Sequence, residues 1–138
     1  MARITHIAIK VDDLDGAAEF YEKVFGFKPL GKSRSPDRSR AQLSDGGINL
    51  TFIKWDDSDS AMANASGEGP SIHHIGIEVD DTKEFAAKLQ AWGVELLSRP
   101  DEVPVKFRMP GGPIAELLPK GSVEGGERRG QRQAATAG

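Results

Sequence analysis

Apolar and polar residues alternate along residues 4–11. Ile7, Ile9 and Val11 fall on one face and His6, Ala8 and Lys10 on the other, which is the two-residue period of a half-buried strand. The alternation returns 68 positions later, where Ile75, Ile77 and Val79 oppose His74, Gly76 and Glu78. The octets 6–13 and 74–81 are identical at six of eight positions. Past each octet the period lengthens to that of a helix. Leu14, Ala17, Ala18, Tyr21, Val24 and Phe25 share one face, with Asp13 or Asp15 as the cap and Gly26 as the stop. In the second copy Asp81 and Glu84 have the spacing of a capping box, Phe85, Leu89 and Trp92 form the stripe, and Gly93 ends it.

Three short strands are expected after each helix. They are 28–32, 39–43 and 48–54 in the first copy, and 95–98, 105–108 and 114–118 in the second. Gly46-Gly47 and Gly111-Gly112 introduce the last strand of each as hairpin turns. The pattern therefore predicts an α+β fold of two tandem βαβββ modules, 4–55 and 72–118, forming a curved mixed sheet around a cleft. Modules of about 65 residues are too small for independent full cores, so they are expected to share one domain, 1–118. Residues 56–71, rich in Ser, Asp, Ala and Gly, read as the inter-module connection. Residues 119–138 read as a flexible tail whose Arg128, Arg129 and Arg132 are solvated.

Composition narrows the function. A net charge of −3 supplies no basic field for nucleic acid. No apolar run reaches the length of a membrane helix, and the first strand begins without a signal-peptide region. The absence of cysteine removes disulfides and thiolate chemistry and fits a cytoplasmic protein.

If the helices cover the Ile/Val faces, His6 and His74 lie on the concave side, in equivalent positions about a pseudo-twofold axis. Glu116 lies mid-strand in the apolar segment 114–118, a costly place for a carboxylate unless it is paired or metal-bound. Two imidazoles and a carboxylate with open positions suit one catalytic divalent ion, Fe, Mn, Ni, Co or Zn. Lys10, Glu78, Lys106 and Arg108 are expected on the concave faces, where they are candidate substrate contacts, with solvent exposure or mutual pairing (Lys10 with Glu78) as the alternative reading. His73 is expected to point away from His74 and to be structural.

Paired modules opening with residues 6–27 and 73–81 and closing with Met109-Pro110-Gly111-Gly112-Pro113-Ile114-Ala115-Glu116-Leu117-Leu118 resemble the vicinal oxygen chelate superfamily. That group includes glyoxalase I, methylmalonyl-CoA epimerase, fosfomycin-resistance proteins, extradiol dioxygenases and bleomycin-resistance proteins. The resemblance implies metal positions at His6, Thr51, His74 and Glu116, with Glu116 in the catalytic centre. Threonine replaces the glutamate that glyoxalase I-like members use for proton transfer, and it is no general base at neutral pH. Thr51 is then a substrate contact. The implied function is a metal-dependent enzyme acting on a small molecule, dioxygenase-like or transferase-like rather than an ordinary glyoxalase. A bleomycin-resistance-type binding protein and a lactoylglutathione lyase or epimerase-like isomerase are the alternatives. A homodimer is expected, because the short chain leaves sheet edges and apolar surface to cover.

Overall fold

The computed structural model describes residues 1–121. The first module runs β1 (Arg3–Lys10), α1 (Leu14–Phe25), β2 (Lys28–Ser35), β3 (Arg38–Ser44) and β4 (Asn49–Trp55). The second runs β5 (Ser71–Val79), α2 (Thr82–Ala91), β6 (Val105–Arg108) and β7 (Ile114–Pro119). All seven strands form one mixed sheet in the order β2-β3-β4-β1-β5-β7-β6. The modules meet edge to edge where β1 runs antiparallel to β5, and in each the first strand pairs in parallel with the last. The cleft between them is therefore built within one chain.

Local chemistry explains the element ends. The Asp13 carboxylate accepts from Gly16 N, and Asp81 accepts from Lys83 N and Glu84 N, so each helix begins at an aspartate cap. Gly26 closes α1 in the left-handed conformation at φ 72°. The strand expected at 95–98 is reduced to a single bridge, Leu96 to Phe107, although Leu97 N still donates to Lys106 O. Pro100 and Pro104 follow it, and without N–H groups they cannot extend a ladder.

Burial follows the two faces. On the helix side Val79, Val105, Phe107, Ala115 and Leu117 pack with Ala86 of α2, while Phe52 of β4 stacks on Tyr21 of α1. Each fully buried side chain of that size contributes roughly 1.5–3 kcal/mol relative to exposure. On the other face Ala8, Ile53 and Trp55 are covered by Ala63, which lies in a single 3-10 turn, Ala63–Ser66, within the connection. The connection is thus packed against the sheet rather than merely strung between the modules. At the end of the described chain, Lys120 Nζ lies 4.0 Å from Asp80 Oδ1; Arg128, Arg129 and Arg132 lie outside the described residues.

Candidate metal centre and its cavity

Each module carries a one-residue irregularity just before its repeated histidine. Along the β1–β5 seam Ile4 faces Ile77 and His6 faces Gly76, leaving Thr5 as the extra residue. Farther on, Ala8 faces His74 and Ile9 faces Ile72, leaving His73 as the extra residue. These two β-bulges occupy matching positions in the repeat, and each re-aims the side chains beside it. Thr5 is buried and its hydroxyl donates to Gly76 O at 3.3 Å.

The repeat brings His6, His74 and Glu116 together. One donor atom from each falls within a 4.8 Å group. His6 Nε2 is 3.5 Å from Glu116 Oε2, and His74 Nε2 is 3.4 Å from Glu116 Oε1. The imidazoles are edge to face, with centroids 5.4 Å apart. Gly76 leaves the space for His6: a Cβ there would fall 2.1 Å from His6 Cε1 and 2.3 Å from Nδ1. Burial alone would raise the Glu116 carboxyl, but its bonds to His6 and His74 and their charge outweigh burial and hold it well below the ordinary range.

Hydrogen bonding also fixes a tautomer. His73 Nε2 lies 2.7 Å from Met62 O, and a carbonyl only accepts, so that nitrogen carries a proton. Burial pushes the His73 imidazole below its ordinary pKa and favours the neutral ring, whose Nδ1 then accepts. The partner 2.8 Å away is His74 Nδ1, which must therefore donate. That leaves His74 Nε2 directed at Glu116 Oε1, 3.4 Å away. A proton satisfies this pair of atoms, and a metal ion in its place would be met by both. Donors about 2.1 Å from one ion at tetrahedral angles stand about 3.4 Å apart, the spacing observed here. The donor set fits a divalent metal in chemistry and, at both His–Glu pairs, in spacing.

The cluster opens into a cavity of about 710 Å³. Thr51 and Lys106 line it as expected. Lys10, Glu78 and Arg108 do not. Lys10 is on the expected face but buried beneath the connection, donating to Ser58 O at 3.1 Å and Asn64 Oδ1 at 2.9 Å. Glu78 is 3.5 Å from Arg3 Nε, which replaces the expected Lys10–Glu78 pair, and Arg108 is exposed. His73 does not point away from His74. The bulge turns it against that ring and into the cavity wall.

Arg38, Arg40 and Gln42 were missed as cavity residues. Their alternation with Ser39, Ala41 and Leu43 along β3 was the available signal. Glu116 is the only acid among the described cavity residues.

Comparison with known proteins places these features in a family. A family model described as the Glyoxalase/Bleomycin resistance protein/Dioxygenase superfamily matches residues 3–110. The trivalent organoarsenical cleaving enzyme of Bacillus sp. (strain MD1) is 30% identical over 104 residues, 73% of this chain; the chain spans only 56% of that enzyme. The ethylmalonyl-CoA/methylmalonyl-CoA epimerase of Cereibacter sphaeroides is 26% identical over 132 residues, covering 87% of this chain and 90% of the epimerase. A solved methylmalonyl-CoA epimerase in complex with methylmalonyl-CoA and NH4+ superposes with a TM-score of 0.72 at 28% identity, covering 89% of this chain and 97% of that one. No helix among the described residues is long and apolar enough to cross a membrane. With its two modules and seven-stranded sheet, the chain belongs to the glyoxalase/bleomycin resistance protein/dioxygenase superfamily.

Proposed function

We propose that the chain is a metal-dependent enzyme that acts on a small molecule bound in the cleft, with His6, His74 and Glu116 as the protein ligands. The convergence of these three donors on the cavity carries this reading. A bound divalent ion, whether Fe, Mn, Ni, Co or Zn, would supply Lewis acidity for chelating adjacent oxygens of the substrate. His73 holds His74 in the tautomer that presents Nε2. Thr51 offers a hydroxyl and Lys106 a cation to the bound molecule.

The relatives include an epimerase and an organoarsenical cleaving enzyme, yet the cavity argues for another reaction. Moving a proton at carbon needs a base beside the metal. Glu116, the one cavity acid among the described residues, is committed to the cluster, and Thr51 is no base. Trivalent arsenic is held by thiolates, and the chain has no cysteine. A dioxygenase-like or transferase-like reaction, in which substrate and a second reactant share the open positions, fits this donor set better. We also propose a homodimer. Phe20, Val24 and Phe25 of α1 are 52%, 60% and 57% exposed, an apolar surface suited to a second copy.

Elemental analysis of anaerobically prepared protein is expected to find about one divalent ion per chain, and His74→Ala to lose it while circular dichroism is unchanged. Full metal content in that variant would remove the reading. Turnover of the methylglyoxal–glutathione hemithioacetal is expected to be weak or absent with each metal, beside a catechol-cleavage screen under Fe(II). Light scattering at micromolar concentration tests the dimer.

A further inference from the structure

The cationic wall of the cleft is not accounted for by the metal cluster. Arg38 and Arg40 stand two residues apart on β3, opposite Trp55 and Ile53 of β4, and both line the cavity. Gln42, next on the same face, is opposite Thr51. At the rise of a strand, Arg40 and Arg38 lie about 7 and about 14 Å along the wall from Gln42. The second module has nothing like this: where Lys106 pairs with Glu116 as Gln42 pairs with Thr51, the position matching Arg40 is Pro104.

Neither arginine is neutralised inside the cavity. Arg40 is partly buried, and its hydrogen-bond partner is the uncharged Ser35 hydroxyl at 2.7 Å. Arg38 lies over the Trp55 ring at 5.6 Å, and its Nε is buried without a hydrogen bond but forms an ion pair with Asp37 Oδ1 at 3.4 Å. Burial first, and then the charge of Arg38, push the Arg40 guanidinium below its ordinary pKa, against the smaller opposing pull of Glu116 and Asp37. Partly buried cations side by side repel and are costly, and among the described residues no carboxylate that lines the cavity forms an ion pair with either of them. A guanidinium pair recovers that cost by gripping an oxyanion in a bidentate manner.

We propose that Arg38 and Arg40 form an oxyanion subsite, and that the substrate carries a carboxylate or phosphate group set apart from the oxygens held at the His-His-Glu end. The proposal deepens the reading of the cleft as a substrate site and rests on it. Gln42 and Thr51 then border the middle of the bound molecule, and the spacing of the wall selects its length.

Trp55 under Arg38 supplies a reporter. The chain has two tryptophans, and Trp92 is 83% exposed at the end of α2, so Trp92→Phe leaves Trp55 as the signal. Benzoate, phenyl phosphate and phenol are titrated into that variant, as purified and after EDTA treatment. One or both anions are expected to change Trp55 fluorescence saturably and phenol not, the tighter anion identifying the group. Arg38→Gln and Arg40→Gln are each expected to weaken binding roughly tenfold. Arg40→Lys should recover part of the loss, and Arg34→Gln, whose guanidinium pairs with Asp56, should leave binding unchanged. EDTA should leave anion binding in place. Anion affinity indifferent to both arginine substitutions, equal binding of phenol, or no saturable anion binding would overturn the proposal. Binding abolished by EDTA and untouched by the arginine substitutions would place the anion on the metal and overturn it equally. Metal content of the same preparations reports on the cluster separately, so the two readings fail independently.

Discussion

At Gly76 one hydrogen atom separates a working cleft from a blocked one. The His6 ring occupies the space of the missing side chain, so Gly76→Ala must displace it. Overpacking of this kind typically costs about 1–3 kcal/mol. The variant is expected to melt lower but cooperatively, and to lose its stoichiometric metal; an unchanged metal content would show that His6 is not a ligand. His73→Phe keeps the ring volume and removes both hydrogen bonds. Metal affinity is expected to fall about 10–100-fold, as for other changes behind a ligand, measured by competition with a chromogenic chelator. His6, His74 and Glu116 were legible because a repeat carried two of them and an apolar strand exposed the third. His73 was not, since simple alternation has no place for an extra residue, and the bulge that turns it inward is a property of the β1–β5 seam.

Elements were legible where the period was strong. Both helices, their aspartate caps and seven of the eight expected strands lie where the pattern put them, with β2 and β3 extending beyond the expected ends. The segment 95–98 has strand-like residues, but the prolines beyond it deny it a ladder. Turns follow side-chain chemistry as closely as strands follow period. Before β4, the Asp45 carboxylate accepts from Ile48 N at 2.7 Å and Gly47 N at 2.8 Å, and these bonds hold its pKa below the ordinary value. A carboxyl depressed in the folded state stabilises fully above its unfolded pKa, near 4, and that contribution is lost as pH falls toward the folded value. Asp45→Asn is therefore expected to be less stable than wild type at pH 7, with the difference shrinking as pH falls below about 4 in urea titrations. A constant difference across that range would assign the effect to something other than the carboxylate charge.

Across the whole molecule, one sheet gathers one cluster from two modules, His6 from one side of the seam and His74 and Glu116 from the other. The same antiparallel seam would also join β1 of one copy to β5 of another if the connection were free to swing. It is not free. Lys10 is bonded to Ser58 and Asn64, and Ala63 is fully buried against the sheet. That clamp has a genetic consequence. Were modules exchanged between copies, a chain lacking His6 and a chain lacking His74 would rebuild one intact centre in every mixed pair. With the connection pinned beneath its own sheet, co-expressed His6→Ala and His74→Ala chains are expected to show no complementation, in metal content or in turnover. Loosening the clamp with Lys10→Ala in both chains is the change that should let the two defects rescue each other.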